Sequence, residues 1–134
     1  LERYIKDLEI EAKCLNNLCM EHVIPAATAY QATLATALAR TREVLGKTVD
    51  LSVQEEILKK IVELIGKIYQ MNREVMARMA KADAIHDEQK KAEVLFREVK
   101  LRMNELRGYV DELEPLVDDE LWPLPTFWEM LFIS

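Results

Sequence analysis

The sequence predicts an all-α fold, an elongated antiparallel three-helix bundle followed by a Pro/Trp-rich C-terminal tail. Three observations carry that reading. Half of the 134 residues are apolar, 31% are charged and only three are glycine, a composition poor in turns and suited to amphipathic helices. Apolar residues recur in alternating steps of four and three along three stretches, the spacing that keeps one seam facing a partner helix. Turn signals separate those stretches only near Gly46 and Asp87, so the connections are short and successive helices must run antiparallel.

The first seam is Leu1, Ile5, Leu8, Ala12, Leu15, Cys19, His22 and Ala26. Its helix is expected over about 1–45, closing at the C′ glycine Gly46. Pro25 removes the hydrogen bond to the carbonyl of Glu21 and crowds that turn, which predicts a kink rather than a stop. Beyond it the small side chains from Ala26 to Thr41 would let another helix approach closely.

A second helix is expected over about 53–85. Ser52-Val53-Gln54-Glu55 is a capping-box pattern, and Ile57, Ile61, Leu64, Ile68, Met71, Val75 and Met79 form its seam. A third is expected over about 87–114, opened by Asp87 as N-cap with Glu88 in the first turn. Its seam is Ala92, Phe96, Val99, Met103, Leu106, Val110, Leu113 and Val117, and Pro115 should kink or end it near Glu114. Methionines 71, 79 and 103 fall on these seams and are read as core packing, and Glu55-Lys59 and Glu56-Lys60 as solvated pairs one turn apart.

What remains, residues 115–134, is a docking tail. It holds both tryptophans and two of the three phenylalanines. Pro123 and Pro125 force extended chain from Leu121 to Pro125, and Thr126-Phe127-Trp128-Glu129 resembles a capping box opening a last helical turn. A cluster of large apolar side chains left in water is an association hazard, so Trp122, Pro123, Leu124, Pro125, Phe127, Trp128, Met130, Leu131 and Phe132 are the candidate interface residues. Trp122 is expected to pack on its own chain at the end of the third helix, with Phe127 to Phe132 reaching a neighbouring subunit or another domain.

Charge and composition exclude several function classes. A net charge of -6 and the acidic run Asp111, Glu112, Glu114, Asp118, Asp119 and Glu120 oppose a nucleic-acid surface, which needs clustered Lys and Arg. No apolar segment is long enough to span a bilayer and no signal-peptide pattern is present, so the expectation is a cytoplasmic protein with no membrane partner. The absence of an initiating methionine at Leu1 points to an excised fragment of a longer chain, folding as a single domain over residues 1–134. Cys14 and Cys19 point away from each other on one helix and are read as reduced thiols, Cys19 in the core.

No catalytic chemistry is legible. Cys19 and His22 lie one turn apart, but two ligands make no zinc site, which takes three or four protein ligands; a seam histidine hydrogen-bonded within the bundle is the simpler reading. A di-iron bundle needs two Glu-x-x-His pairs, against the single Asp83-Ala84-Ile85-His86. A cysteine nucleophile with His22 would lack an orienting group and an oxyanion-binding loop, and no glycine-rich phosphate loop exists.

Two motifs nevertheless resemble a known family. Leu116-Val117-Asp118-Asp119-Glu120-Leu121-Trp122-Pro123-Leu124-Pro125-Thr126-Phe127-Trp128-Glu129-Met130-Leu131-Phe132 is similar to the C-terminal ending of type III glutamine synthetases, the large bacterial form of that ligase. Leu15-Asn16-Asn17-Leu18-Cys19-Met20-Glu21-His22-Val23-Ile24-Pro25-Ala26-Ala27, followed by Tyr30-Gln31, is similar to a segment upstream of it. Phe127, Trp128 and Pro115 depart from the family pattern and make this tail more apolar. The resemblance implies a parent enzyme that joins ammonia to glutamate with ATP and magnesium, in a homo-oligomer whose catalytic region lies upstream. No position here matches that region's metal-binding or nucleotide motifs, so no catalytic, cofactor-binding or metal residue is assigned. The implied role is a non-catalytic C-terminal domain serving subunit packing, assembly or regulation, its partners the catalytic domain of the same chain and neighbouring subunits. The alternative is a free-standing helical adaptor binding through the same tail.

Overall fold

The computed structural model describes residues 1–118; the tail residues named above as interface candidates lie outside them. Among the described residues the chain is all-helical, without a strand. Helix α1 covers Glu2–Leu18, passes through a π-helical turn at Cys19–Val23 and continues as α2, Ile24–Leu45. Helix α3 is one unbroken run, Ser52–Asp83. The last rod comprises α4 (Glu88–Val94), a second π-helical stretch at Leu95–Lys100, α5 (Leu101–Leu113) and a 3₁₀ turn at Glu114–Leu116.

The seam departs from simple spacing at the two π segments: the first displaces it by one position, and the second coincides with a single exchange inside an otherwise unshifted seam. In a π turn an extra residue is wound into the helix, so side chains downstream are displaced by one position. Before the first one Ile5, Leu8, Ala12, Leu15 and Cys19 are buried as the spacing predicts, but after it the core positions are Val23 and Ala27, with His22 and Ala26 half-buried. In the last rod Leu95 takes the core position assigned to Phe96, which is 55% exposed. The buried steps there run Leu95, Val99, Met103, two consecutive fours across the π stretch, before Leu106, Val110 and Leu113 resume the alternation.

The π turn lies next to Pro25. The amide of Ile24 bonds the carbonyl of Cys19, five residues back, and the chain stays helical through the proline, whose missing amide donor falls where the bonding pattern changes from π to α.

Capping differs from the pattern at one helix and matches it at another. Ser52 is already the first helical residue, one position too late to cap, and the Ser52–Glu55 box does not form. Asp50 Oδ1 accepts from the amide of Ser52 at 3.0 Å instead, and hydrogen bonding from the Ser52 side chain first and its amide second holds the Asp50 carboxyl below the usual carboxylate range. Glu55 turns outward to accept from Arg42 Nη2 at 3.0 Å, while Arg42 Nη1 bonds the carbonyl of Val49 at 3.1 Å. Together these close the loop between α2 and α3, where Gly46 supplies a φ of 75°. At the other end Asp87 Oδ1 accepts from the amide of Gln89 at 3.1 Å as an N-cap.

All three rods contribute to one hydrophobic core, with Leu15, Ile61, Ile68, Leu95, Met103, Leu106 and Leu113 among its fully buried side chains. Each such side chain stabilises by about 1.5–3 kcal/mol. The contacts between α3 and the last rod share one antiparallel register: Arg78 pairs with Glu98 at 3.4 Å, Glu74 with Arg102 at 3.8 Å, and Lys67 sits 5.6 Å from the ring centroid of Tyr109. Between α1 and the last rod, Lys91 Nζ lies 3.2 Å from Glu9, and Glu11 is shared by Lys100 at 3.6 Å and Arg107 at 3.7 Å.

Candidate functional site

The metal reading of Cys19 and His22 gains nothing from their placement. Cys19 is fully buried, and that burial pushes its thiol up to about 12, far from the thiolate a metal or nucleophile role requires. His22 is half-buried one turn away on the π segment. No group of three His, Cys, Asp or Glu that could hold a metal ion occurs among the described residues. The interface candidates from Trp122 to Phe132 lie outside the described residues and have no position to report.

Two surface features remain at the end of the molecule where α1 begins and α4 starts. One is a polar cleft of about 480 Å³ lined by Glu2, Lys6, Glu9, Asp83, His86 and Lys91, among others. Lys91 joins three helices there, with Nζ 3.2 Å from Glu9 and 3.5 Å from Asp83. The hydrogen bond to Glu9 leads in raising the Lys91 ammonium above its ordinary value, and the two nearby carboxylates add to it against the cost of desolvation. The carboxylates of this cleft are thus partly committed to the protein's own lysine, so the cleft is best described as an electrostatic clamp on the α3–α4 corner.

The second is an apolar groove of about 430 Å³ between the start of α1 and the α4 region, lined by Leu1, Tyr4, Ala92 and Phe96 with Gln89, Glu93 and Arg97 at its rim. Spacing alone missed it, because Phe96 was placed in the core. The signal was present in the adjacent Leu95: where two large apolar residues stand side by side in a helix, only one can occupy the seam and the other must face outward. More apolar surface lies at the opposite end, where Val44, Leu45 and Val53 are exposed around the α2–α3 loop.

Among the described residues no charged side chain is fully buried. Arg107 is mostly enclosed, and desolvation lowers its guanidinium below the usual range despite Glu11 and Asp111 nearby. Asp111 is raised by desolvation and partly held back by Arg107. Arg107 thus reaches from α5 to Glu11 on α1 at 3.7 Å. No helix of the described residues is long and apolar enough to cross a membrane.

Comparison with known proteins gives these surfaces a context. Residues 1–42 match the family profile described as glutamine synthetase C-terminal domain. The chain is 30% identical over 135 residues to a glutamine synthetase of Bacteroides fragilis (strain YCH46), and 30% identical over 135 residues to a type-3 glutamine synthetase of Dictyostelium discoideum. Each alignment takes in 98% of this chain and 18% of the relative. A glutamine synthetase of Butyrivibrio fibrisolvens is 25% identical over 138 residues, again across 98% of this chain and 19% of the relative. The chain therefore spans just under a fifth of the length of these relatives. No solved structure matches it. Together the profile match and the alignments along nearly the whole chain identify it as a relative of the glutamine synthetase C-terminal domain, the type-3 enzymes included.

Proposed function

We propose that the chain is a non-catalytic C-terminal helical domain of a glutamine synthetase, an elongated antiparallel three-helix bundle that serves subunit packing, assembly or regulation of a cytoplasmic enzyme. The observation that carries this is the alignment of 98% of the chain with less than a fifth of a glutamine synthetase. The parent enzyme would join ammonia to glutamate at the expense of ATP, with that chemistry residing in the remainder of the protein. The described residues do not fit a magnesium–nucleotide site: Glu9 and Asp83 are paired with Lys91, Glu11 with Lys100 and Arg107, and Glu74 with Arg102.

A packing role is supported by apolar side chains left at the surface in two places, the groove of Leu1, Tyr4 and Phe96 and the tip carrying Val44, Leu45 and Val53. Such patches, rimmed by polar residues, are how a domain adheres to a larger body. The catalytic region of the same chain and neighbouring subunits of a homo-oligomer are the proposed partners, with Phe127 to Phe132 of the tail as a further contact.

The test is to express the complete reading frame that encodes this chain beside residues 1–134 alone. The whole protein is expected to form glutamine from glutamate, ammonia and magnesium-ATP, and the isolated chain to form none. In the whole protein, Phe96→Glu should reduce the assembly without unfolding the domain. ATP-dependent turnover by residues 1–134, or a reading frame that begins near Leu1, would overturn the proposal in favour of an independent enzyme or a free-standing adaptor.

A further inference from the structure

Between Ala27 and Ile61 a single side chain is buried, Leu51. Elsewhere along the three rods a buried residue recurs every three or four positions. Leu51 also stands apart from the other buried apolar side chains, which form one contiguous core from Ile5 to Val117 that does not include it. Leu34 on α2 and Ile57 on α3 are the last apolar side chains towards the loop that pack against that core. Past them the chain keeps a small satellite cluster of its own: Leu51 lies beside Leu38, Thr41 and Gln54, with a cavity of about 50 Å³ left among them.

The last rod stops short of this region. Its contacts with α3, Glu98 with Arg78, Arg102 with Glu74 and Tyr109 with Lys67, move four and then seven residues along both helices in opposite directions. Extending that register brings Leu116, the end of the 3₁₀ turn, level with Lys60, while α3 continues to Ser52 and α2 runs beside it to Leu45. Beyond that level the described helices are reduced to two. Helical segments of so few turns do not hold their shape on propensity alone, and here they bury little against each other.

Arg42 joins the pieces. From the last turn of α2 its Nη1 donates to the carbonyl of Val49 in the loop at 3.1 Å, and its Nη2 to Glu55 Oε1 on α3 at 3.0 Å. One side chain thus spans both helices and the loop between them. Arg42 and Glu55 are nevertheless open to solvent, where an ion pair competes with water and holds only weakly.

From this we infer that residues 35–56 form a two-helix arm that opens and closes as one unit while the three-rod bundle stays folded, with Arg42 as its latch. The arm carries Val44, Leu45 and Val53, so this apolar tip belongs to the part of the domain that opens at least cost, the end of the stability range from which moving and binding elements are drawn. The inference goes beyond the assembly reading and does not depend on it, because it is a property of residues 1–134 alone.

The experiment is residue-resolved native-state hydrogen exchange by NMR on residues 1–134. The amides of residues 38–45 are expected to share one level of protection, at least about 100-fold below that of residues 61–79 and 95–113. Arg42→Ala should lower the protection of the arm several-fold and leave residues 61–79 unchanged, whereas Arg40→Ala, whose ion pair is with Glu43 on the same helix, should alter neither. Leu51→Ala, which empties the arm's own cluster, should act on the arm in the same direction and again spare residues 61–79. Protection of the arm equal to that of the bundle would overturn the proposal. So would values that decline in steps towards Leu45, which is simple fraying of a helix end, an arm indifferent to Arg42→Ala, or an effect of either variant shared equally by residues 61–79.

Discussion

Asn72 on α3 donates from Nδ2 to Oδ1 of Asn16 on α1 across 2.8 Å. Among the described residues Asn72 is the buried polar side chain of the core, 2% exposed, and its own Oδ1 has no hydrogen-bond partner there. A buried carbonyl without a donor costs roughly 1–3 kcal/mol, whereas the bond that Nδ2 makes returns about 1 kcal/mol. The pair ties α1 to α3 at one register more than it stabilises the fold, in the way a single polar seam residue does in coiled coils.

Asn72→Leu is therefore expected to raise stability, by about 1 kcal/mol, because Asn16 is only half-buried and can turn to water. Urea unfolding of residues 1–134 measures this. A loss of more than about 1 kcal/mol would show that the orphaned oxygen is compensated and that the pair is a net contributor.

The π stretch in the last rod makes a sharp distinction between neighbours. Leu95→Ala should cost about 2–5 kcal/mol, as for a fully buried leucine. Phe96→Ala should change stability of the isolated chain by no more than about 0.5 kcal/mol, as for a surface site. Equal losses, or the reverse order, would restore the uninterrupted seam that spacing alone predicts.

The two thiols should separate cleanly. Cys14 is half-exposed and should react with a thiol reagent in the native protein, whereas Cys19 should react only at the rate of unfolding. Its protonated form is favoured in the folded state, so the contribution to stability is full below the ordinary thiol range and is lost as pH rises towards about 12. Cys19→Ala should flatten the part of the alkaline decline that this thiol causes, read from melting temperature against pH.

Gly46 combines φ 75° with ψ -164°, a region essentially reserved for glycine. A Cβ there would meet nothing within 4 Å, so the cost of Gly46→Ala is backbone strain without a clash, about 1–3 kcal/mol. Gly66→Ala, within α3 and with equal room, should stabilise by up to about 1 kcal/mol. The two thermal shifts are thus expected to have opposite signs.

Much of the architecture was legible because the core steps are regular: Ile5 to Cys19, Ile61 to Ile68 and Met103 to Leu113 are buried where alternating fours and threes place them. The deviations share a physical origin. A π turn is set by the backbone, and the residues Cys19–Val23 and Leu95–Lys100 carry no composition that announces it, although Pro25 just after the first is a hint that the ladder must adjust. Asn72 was passed over for Met71 because hydrophobicity was the criterion, and a polar core residue defeats that criterion. Ser52 shows that a capping motif names a chemistry without fixing the position at which the helix begins. As for the candidate surfaces, the apolar groove at Phe96 was hidden by the same one-residue shift that misplaced the seam.

The π segments bear on how such domains are to be recognised. A search that scores one uninterrupted seven-residue phase loses the signal of α2 after Val23, since every later position is scored on the wrong side. The chain is better treated as blocks of constant phase separated by skipped residues at Cys19–Val23 and Leu95–Lys100. Alignments of distant relatives that open a one-residue gap at either place would then mark a real difference in winding, and those lacking it should keep Val23, Ala27 and Leu95 apolar while leaving His22 and Phe96 free to vary.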